Sequence, residues 1–147
     1  MTQNHYQAPL HFKSLFEDGN HQLAHCSLME SIDQHLELLL TTCPGEHAFD
    51  AEYGCKIWDM DFERVLSKSQ WEETFSTYIK EAVVHYEKRI TEVEIKILMK
   101  DIQWEDALFK TTSVRKKVEV IILGYLRENG QRCGFRYTLY MGPLATE

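Results

Sequence analysis

Twenty-three carboxylates are the largest supply of reactive groups in this 147-residue chain, and Glu87, Glu92 and Glu94 gather where a helical pattern gives way to a strand pattern. Glycoside hydrolysis needs two carboxyls flanking one bond, one of them with a raised pKa. Glu92 and Glu94 alternate with apolar residues, so they belong to the wet face of a strand, where carboxylates are expected without any catalytic role. Histidine and cysteine form two loose groups, His21 with His25 and Cys26, and Cys43 with His47 and Cys55. His21 and His25 stand four apart, but neither group supplies the second pair that a zinc module needs. There is no G-x-S-x-G elbow, no G-x-x-x-x-G-K phosphate loop and no cysteine in an activating motif. The reading is therefore one without catalytic residues, metal ligands, cofactor or small-molecule substrate.

One charged group stands apart. Glu87, Lys88 and Arg89 follow a helical stripe of Trp71, Phe75, Tyr78, Ala82 and Tyr86, and Arg89 projects onto that same face at 3.6 residues per turn. Lys88 and Arg89 suit a helix C-terminus, where cations complement the backbone dipole. A guanidinium on an aromatic face also calls for planar acceptors, either a carboxylate or the carbonyls of a partner chain. Both readings stand at the level of sequence.

These residues need elements to hold them. Ser27 with Glu30 makes a capping box for a helix over 27–41, whose stripe is Leu28, Ile32, Leu36 and Leu39. The helix stops at Thr41-Thr42-Cys43-Pro44-Gly45. A long connection over 43–68 follows, and its Phe49, Tyr53, Ile57, Trp58 and Phe62 are too many large apolar groups for a free linker. Ser69 with Glu72 predicts the start of a second helix, which continues to about Arg89.

The period then changes to two: Val93, Ile95, Ile97 and Met99 predict a strand over 91–99. A connection with Trp104, Leu108 and Phe109 leads to a strand over 117–127, apolar on both faces from Val120 to Leu126 and so interior to its sheet. Arg115-Lys116-Lys117 sits at that strand's entry. Asn129-Gly130 signals a hairpin into a strand over 131–141, ending at Gly142-Pro143. The order of elements predicts an α+β fold, an antiparallel C-terminal meander packed against two main helices. Residues 1–25 read as an arm with an apolar knot of Leu10, Phe12, Leu15 and Phe16, and 26–147 as a single domain. Trp58, Trp71 and Trp104 read as core anchors.

A net charge of −7 argues against nucleic acid, whose phosphates draw on clustered Lys and Arg. No run of eighteen apolar residues exists, so no membrane insertion is expected. The first residues lack the basic start and apolar core of a secretory signal, which predicts a cytoplasmic protein with reduced thiols.

Leu38-Leu39-Leu40-Thr41-Thr42 with Pro44-Gly45, then Tyr53-Gly54, then Glu87-x-Arg89 entering an alternating strand, resembles the phage baseplate wedge and sheath-initiator family. That family includes the TssE-like proteins of type VI secretion. The resemblance covers about 27–140. It implies a baseplate component of a contractile injection machine that links wedge subunits to the contractile sheath and initiates sheath assembly by pairing strands. The family motif is Glu-Pro-Arg, so the resemblance assigns partner binding to Glu87, Lys88 and Arg89. Lys88 stands where the family has proline, and without proline the helix is free to run on. A cell-wall hydrolase, a label the family has sometimes carried, is the alternative function; a stand-alone regulator with the same fold is a third.

Overall fold

A computed structural model describes residues 5–10, 12–16, 23–60, 67–106, 108 and 111–141, without the side chains of 14, 104–106 and 111–115. Helix α1 spans Leu28–Thr41 and begins with the expected box: Ser27 Oγ accepts from the Glu30 N–H, and the Glu30 carboxylate accepts from the Ser27 N–H. Ile32, Leu36, Leu39 and Leu40 are fully buried, while Leu28 packs at the margin. The Thr-rich stop is enforced by side chains that fold back, with the Thr42 hydroxyl donating to the Leu38 carbonyl. Gly54 then runs against this stop: Cys55 N–H donates to Thr42 O at 2.9 Å. Gly54 has φ +136, and a Cβ there would lie 2.7 Å from the Thr42 oxygen, so no other residue fits.

The connection is anchored as expected at Ile57, fully buried in a 3-10 turn over Lys56–Asp59, and at Trp58, whose indole N–H donates to Leu40 O at 2.8 Å. Tyr53 also packs on the core, but Phe49 is fully exposed, against expectation. Phe62 lies outside the described residues, as do His21, Phe109, Gly142 and Pro143.

Helix α2 spans Lys68–Tyr86. It starts earlier than expected, because Ser67 and Gln70, not Ser69 and Glu72, form the capping box. Its buried stripe is Trp71, Phe75, Ile79, Ala82 and Val83; Tyr78 and Tyr86 flank that stripe and are partly buried.

Strands β3 (Ile90–Asp106), β4 (Thr111–Leu126) and β5 (Arg132–Met141) form an antiparallel sheet in the order β3-β4-β5, so β4 is interior as predicted and the class is α+β. The first hairpin is much longer than its apolar stretches. Trp104 lies in β3, not in a connection, and Arg115, Lys116 and Lys117 lie inside β4, not at its entry. Pairing continues through Lys100 to Asp106, where Ile102 and Trp104 alternate with polar residues but on the opposite parity to Val93, Ile95, Ile97 and Met99, so the period-two pattern changes phase after Met99. The Trp104 side chain is outside the described set, whereas Trp71 is a buried anchor. Among the described residues 116–125 of β4 pairs with β5, and 111–115 with β3.

The register shifts between Thr91 and Glu94, where Glu92 takes φ +53 in a bulge. Gly124 makes that bulge possible, since a Cβ there would lie 2.4 Å from Ile90 Cγ2 and 2.9 Å from Thr91 O. Val93, Met99, Val118, Val120, Ile122, Phe135 and Leu139 turn one sheet face to the helices. Tyr137, on the same face, donates to Asp33 Oδ1 at 2.7 Å and joins β5 to α1.

Residues 5–8 and 24–26 are joined by polar contacts. His5–Tyr6 (β1) pairs with His25–Cys26 (β2), and the Ala8 N–H donates to Gln34 Oε1 at 2.9 Å. Of the expected apolar knot, Leu10, Phe12 and Phe16 are exposed and Leu15 is half-buried, so among the described residues these four side chains do not make a buried cluster. Among the described residues no helix is long and apolar enough to cross a membrane.

Candidate functional site: the junction of α2 and β3

Helix α2 stops at Tyr86, three residues before the sequence pattern suggests, even though Lys88 replaces the helix-breaking proline. Glu87 ends it. Its backbone leaves the helical region (φ −105, ψ 91) while its N–H still donates to Val83 O at 2.9 Å. Its carboxylate then accepts the Arg89 backbone N–H at 3.1 Å, a local side-chain bond that competes with another helical turn. Arg89 consequently leaves the aromatic face of α2 and lies over Glu87.

The guanidinium grips that carboxylate with two parallel bonds, Nε to Oε1 and Nη2 to Oε2, both 2.8 Å. Such paired bonds between ionised groups are among the strongest available to side chains. Nη1 donates to Ser31 Oγ at 2.8 Å, and His35 Nδ1 lies 2.7 Å from Glu87 Oε2. Glu87 is only 2 % exposed, against 31 % for the Arg89 side chain. One carboxylate thus ties α1, through Ser31 and His35, to the end of α2 and the first residue before β3. The planar acceptor that Arg89 calls for is supplied from within the chain.

Burial alone would raise the Glu87 pKa. Hydrogen bonds from Arg89, from His35 and from the Arg89 backbone, with the guanidinium charge, outweigh it and hold the carboxyl at about 2. The group is ionised at any physiological pH. A general acid needs the reverse, and Glu92 and Glu94 are exposed on the strand beyond. The three carboxylates do not converge.

An aromatic wall closes this network. Tyr53 stacks near His35 (centroids 6.0 Å, interplanar angle 24°) and meets the Tyr86 ring edge-on at 4.9 Å. Burial, and then the Glu87 charge, raise the Tyr53 pKa. On the outer side Lys88 is exposed, its Nζ donating to Val84 O at 3.1 Å, and it borders a cavity of about 670 Å³ lined by Pro44, Gly54, Tyr78, Ala82 and Tyr86.

Of the residues singled out by sequence, Glu87 and Arg89 are brought together and Lys88 is turned outward. Ser31 and His35 were missed as members of the site, and Tyr53 was singled out in the loop but not joined to the junction. The signal for Ser31 and His35 is that they stand four apart, one position off the Ile32–Leu36 stripe, and so share a helix face. Cys43 lies 3.9 Å from Asp59 and Cys55 is fully buried; among the described residues no three His, Cys, Asp or Glu side chains group to hold a metal.

Comparison with known proteins adds three findings. A family model described as baseplate wedge protein gp25 matches residues 26–128. Baseplate wedge protein gp25 of Enterobacteria phage T4 is 30% identical over 81 residues, 55% of this chain and 60% of the phage protein, so the chain spans about three-fifths of that relative. A solved structure from Geobacter sulfurreducens, described as a candidate tail lysozyme, superposes with a TM-score of 0.58 at 21% identity, covering 82% of this chain and 96% of the other. At that identity the likeness speaks for the fold alone.

Proposed function

The chain belongs to the baseplate wedge protein gp25 family, and on that premise we propose that it is a structural component of the baseplate of a contractile injection machine, either a type VI secretion system or a phage-tail-like particle. In this reading it makes and breaks no bonds. It links wedge subunits to the contractile sheath and starts sheath assembly by offering backbone to an incoming strand, inside the cytoplasm of the producing cell.

The observation that carries this reading is the sheet's two open margins. Among the described residues β3 and β5 each pair with β4 alone, so their outer N–H and C=O groups are available to another chain. Leu126 N–H donates to Gln131 O; by strict alternation the N–H groups of Gly134, Arg136 and Thr138 point away from β4. The charged junction supports the second half of the role. Lys88 and the outer part of Arg89 contact wedge subunits, and Glu87 acts from behind by fixing the guanidinium. A hydrolase reading has less support, because the carboxylate nearest the junction is locked in its ionised form.

Thr138→Pro tests the strand pairing. It removes one outward N–H without taking a donor from the β4–β5 ladder. Sheath polymerisation on purified baseplates should fall sharply while the thermal midpoint moves little. Normal polymerisation by this variant, together with an equally silent proline scan along the outward positions of β3, would reject strand pairing. Activity on purified peptidoglycan would reject the structural reading as a whole.

A further inference from the structure

The sheet face turned away from the helices carries a charge opposite to that of the chain. Among the described side chains five cations project from it, Lys96 and Lys100 from β3, Lys117 from β4, Arg132 and Arg136 from β5, against two acids, Glu94 and Glu119. The face is net +3 in a chain that is net −7, which leaves −10 on the rest of the molecule. Segregation of this size is not what solubility requires, since solubility is served by mixed signs.

The cations are also unspent. Arg136 Nη2 reaches Glu119 Oε2 at 3.1 Å, but among the described residues Lys96, Lys100, Lys117 and Arg132 have no ion pair. Lys100 stands directly opposite Lys117 in the β3–β4 register. Like charges in that position destabilise a sheet, and the acid in the next row of the face, Glu119, is the one paired with Arg136. Between the charges lie half-buried Ile121 and Leu123, and Leu98, Tyr125 and Tyr140 are 51%, 40% and 58% exposed. Basic groups ringing exposed aliphatic and aromatic side chains have the composition of an interface.

We propose that this open sheet face docks an acidic surface of another protein subunit, with Leu98, Ile121 and Leu123 against apolar side chains at its centre. The proposal rests on the baseplate reading, which supplies the subunits, but it concerns a face and not the strand margins. A protein fits better than nucleic acid. Tyr125 and Tyr140 lie in rows eight residues apart along β4, about 27 Å, too far for successive bases to stack on both. The groups between them are mostly aliphatic, and a net +3 is small for a phosphate backbone.

The experiment uses the full chain co-assembled with the wedge and sheath proteins of its own system. Leu98→p-benzoylphenylalanine is photo-crosslinked in the assembly, and binding is compared for wild type, Lys96→Glu/Lys100→Glu/Lys117→Glu, and the same three positions changed to Arg. The expected result is cross-links to an acidic stretch of one neighbouring subunit. The Glu variant should bind about tenfold or more weakly and the Arg variant like wild type, with wild-type binding itself weakened by salt. Assembly that proceeds normally without Leu98 cross-links to another subunit overturns the proposal and leaves the baseplate reading standing. Cross-links only to a second copy, or retention of single-stranded DNA in place of a protein, overturn it by naming a different occupant. Failure of every wedge and sheath protein to bind wild type overturns the baseplate reading and the proposal with it. Should the Glu variant fold poorly, the cross-links on the otherwise wild-type chain decide alone.

Discussion

Glu87→Gln isolates the energetic weight of the junction. The substitution keeps the side chain's size and removes its charge, so packing around Ser31, His35 and Tyr53 is conserved while the ion pair with Arg89 is lost. An unfolded glutamate titrates near ~4.3, whereas here the carboxyl is held at about 2. A depressed carboxyl contributes stability that is complete above its unfolded pKa and disappears as pH falls through the folded one. The difference corresponds to about 3 kcal/mol, present at neutral pH and lost between about pH 5 and pH 2. Urea unfolding of wild type and Glu87→Gln across that range provides the assay, because the other carboxylates titrate alike in both and cancel in the difference. The gap should be about 2–4 kcal/mol at pH 7, in line with breaking a buried pair, and should shrink towards zero near pH 2. A gap that stays constant from pH 7 to pH 2 would refute the reasoning, since it would show that the charge of Glu87 contributes nothing.

Gly54→Ala should cost about 2–4 kcal/mol in denaturant unfolding, because its Cβ meets the Thr42 carbonyl at 2.7 Å and the backbone is held at φ +136. The thiols should divide by burial. Cys55, fully buried with its pKa pushed up to about 11, and Cys133 should resist iodoacetamide in the native protein, while Cys26 and Cys43 are modified first by peptide mass mapping.

Much of the architecture was legible in local chemistry. The Ser27–Glu30 box, the Leu36–Leu39 stripe and the Asn129-Gly130 turn each follow from a few adjacent residues, and each is where the pattern places it. The second helix shows the limit. Ser67-x-x-Gln70 and Ser69-x-x-Glu72 both satisfy the capping pattern, and the pattern by itself does not choose between them; the helix takes the earlier one. Its end was misread because Lys88 and Arg89 are good helix formers, whereas the event that stops the helix is a carboxylate turning back to a backbone N–H two residues on. The outer half of the β3–β4 hairpin was invisible for another reason. Its apolar residues, Ile102 and Trp104, fall on the opposite parity to Val93–Met99, so the alternation breaks at Lys100 and reads as the end of a strand although the backbone ladder runs on. The site itself was half legible. Glu87 and Arg89 announce themselves, but their contacts 52 and 58 positions away, His35 and Ser31, exist only once α1 has packed.

The β3–β4 ladder runs five rows past the described part of β5. Over those rows, about 17 Å of strand, the bonds to β3 hold 111–115 in line. Among the described residues, a change that breaks the ladder between Ile102 and Asp106 therefore reaches that half of β4 at once, whereas one in β5 reaches it by way of 116–125.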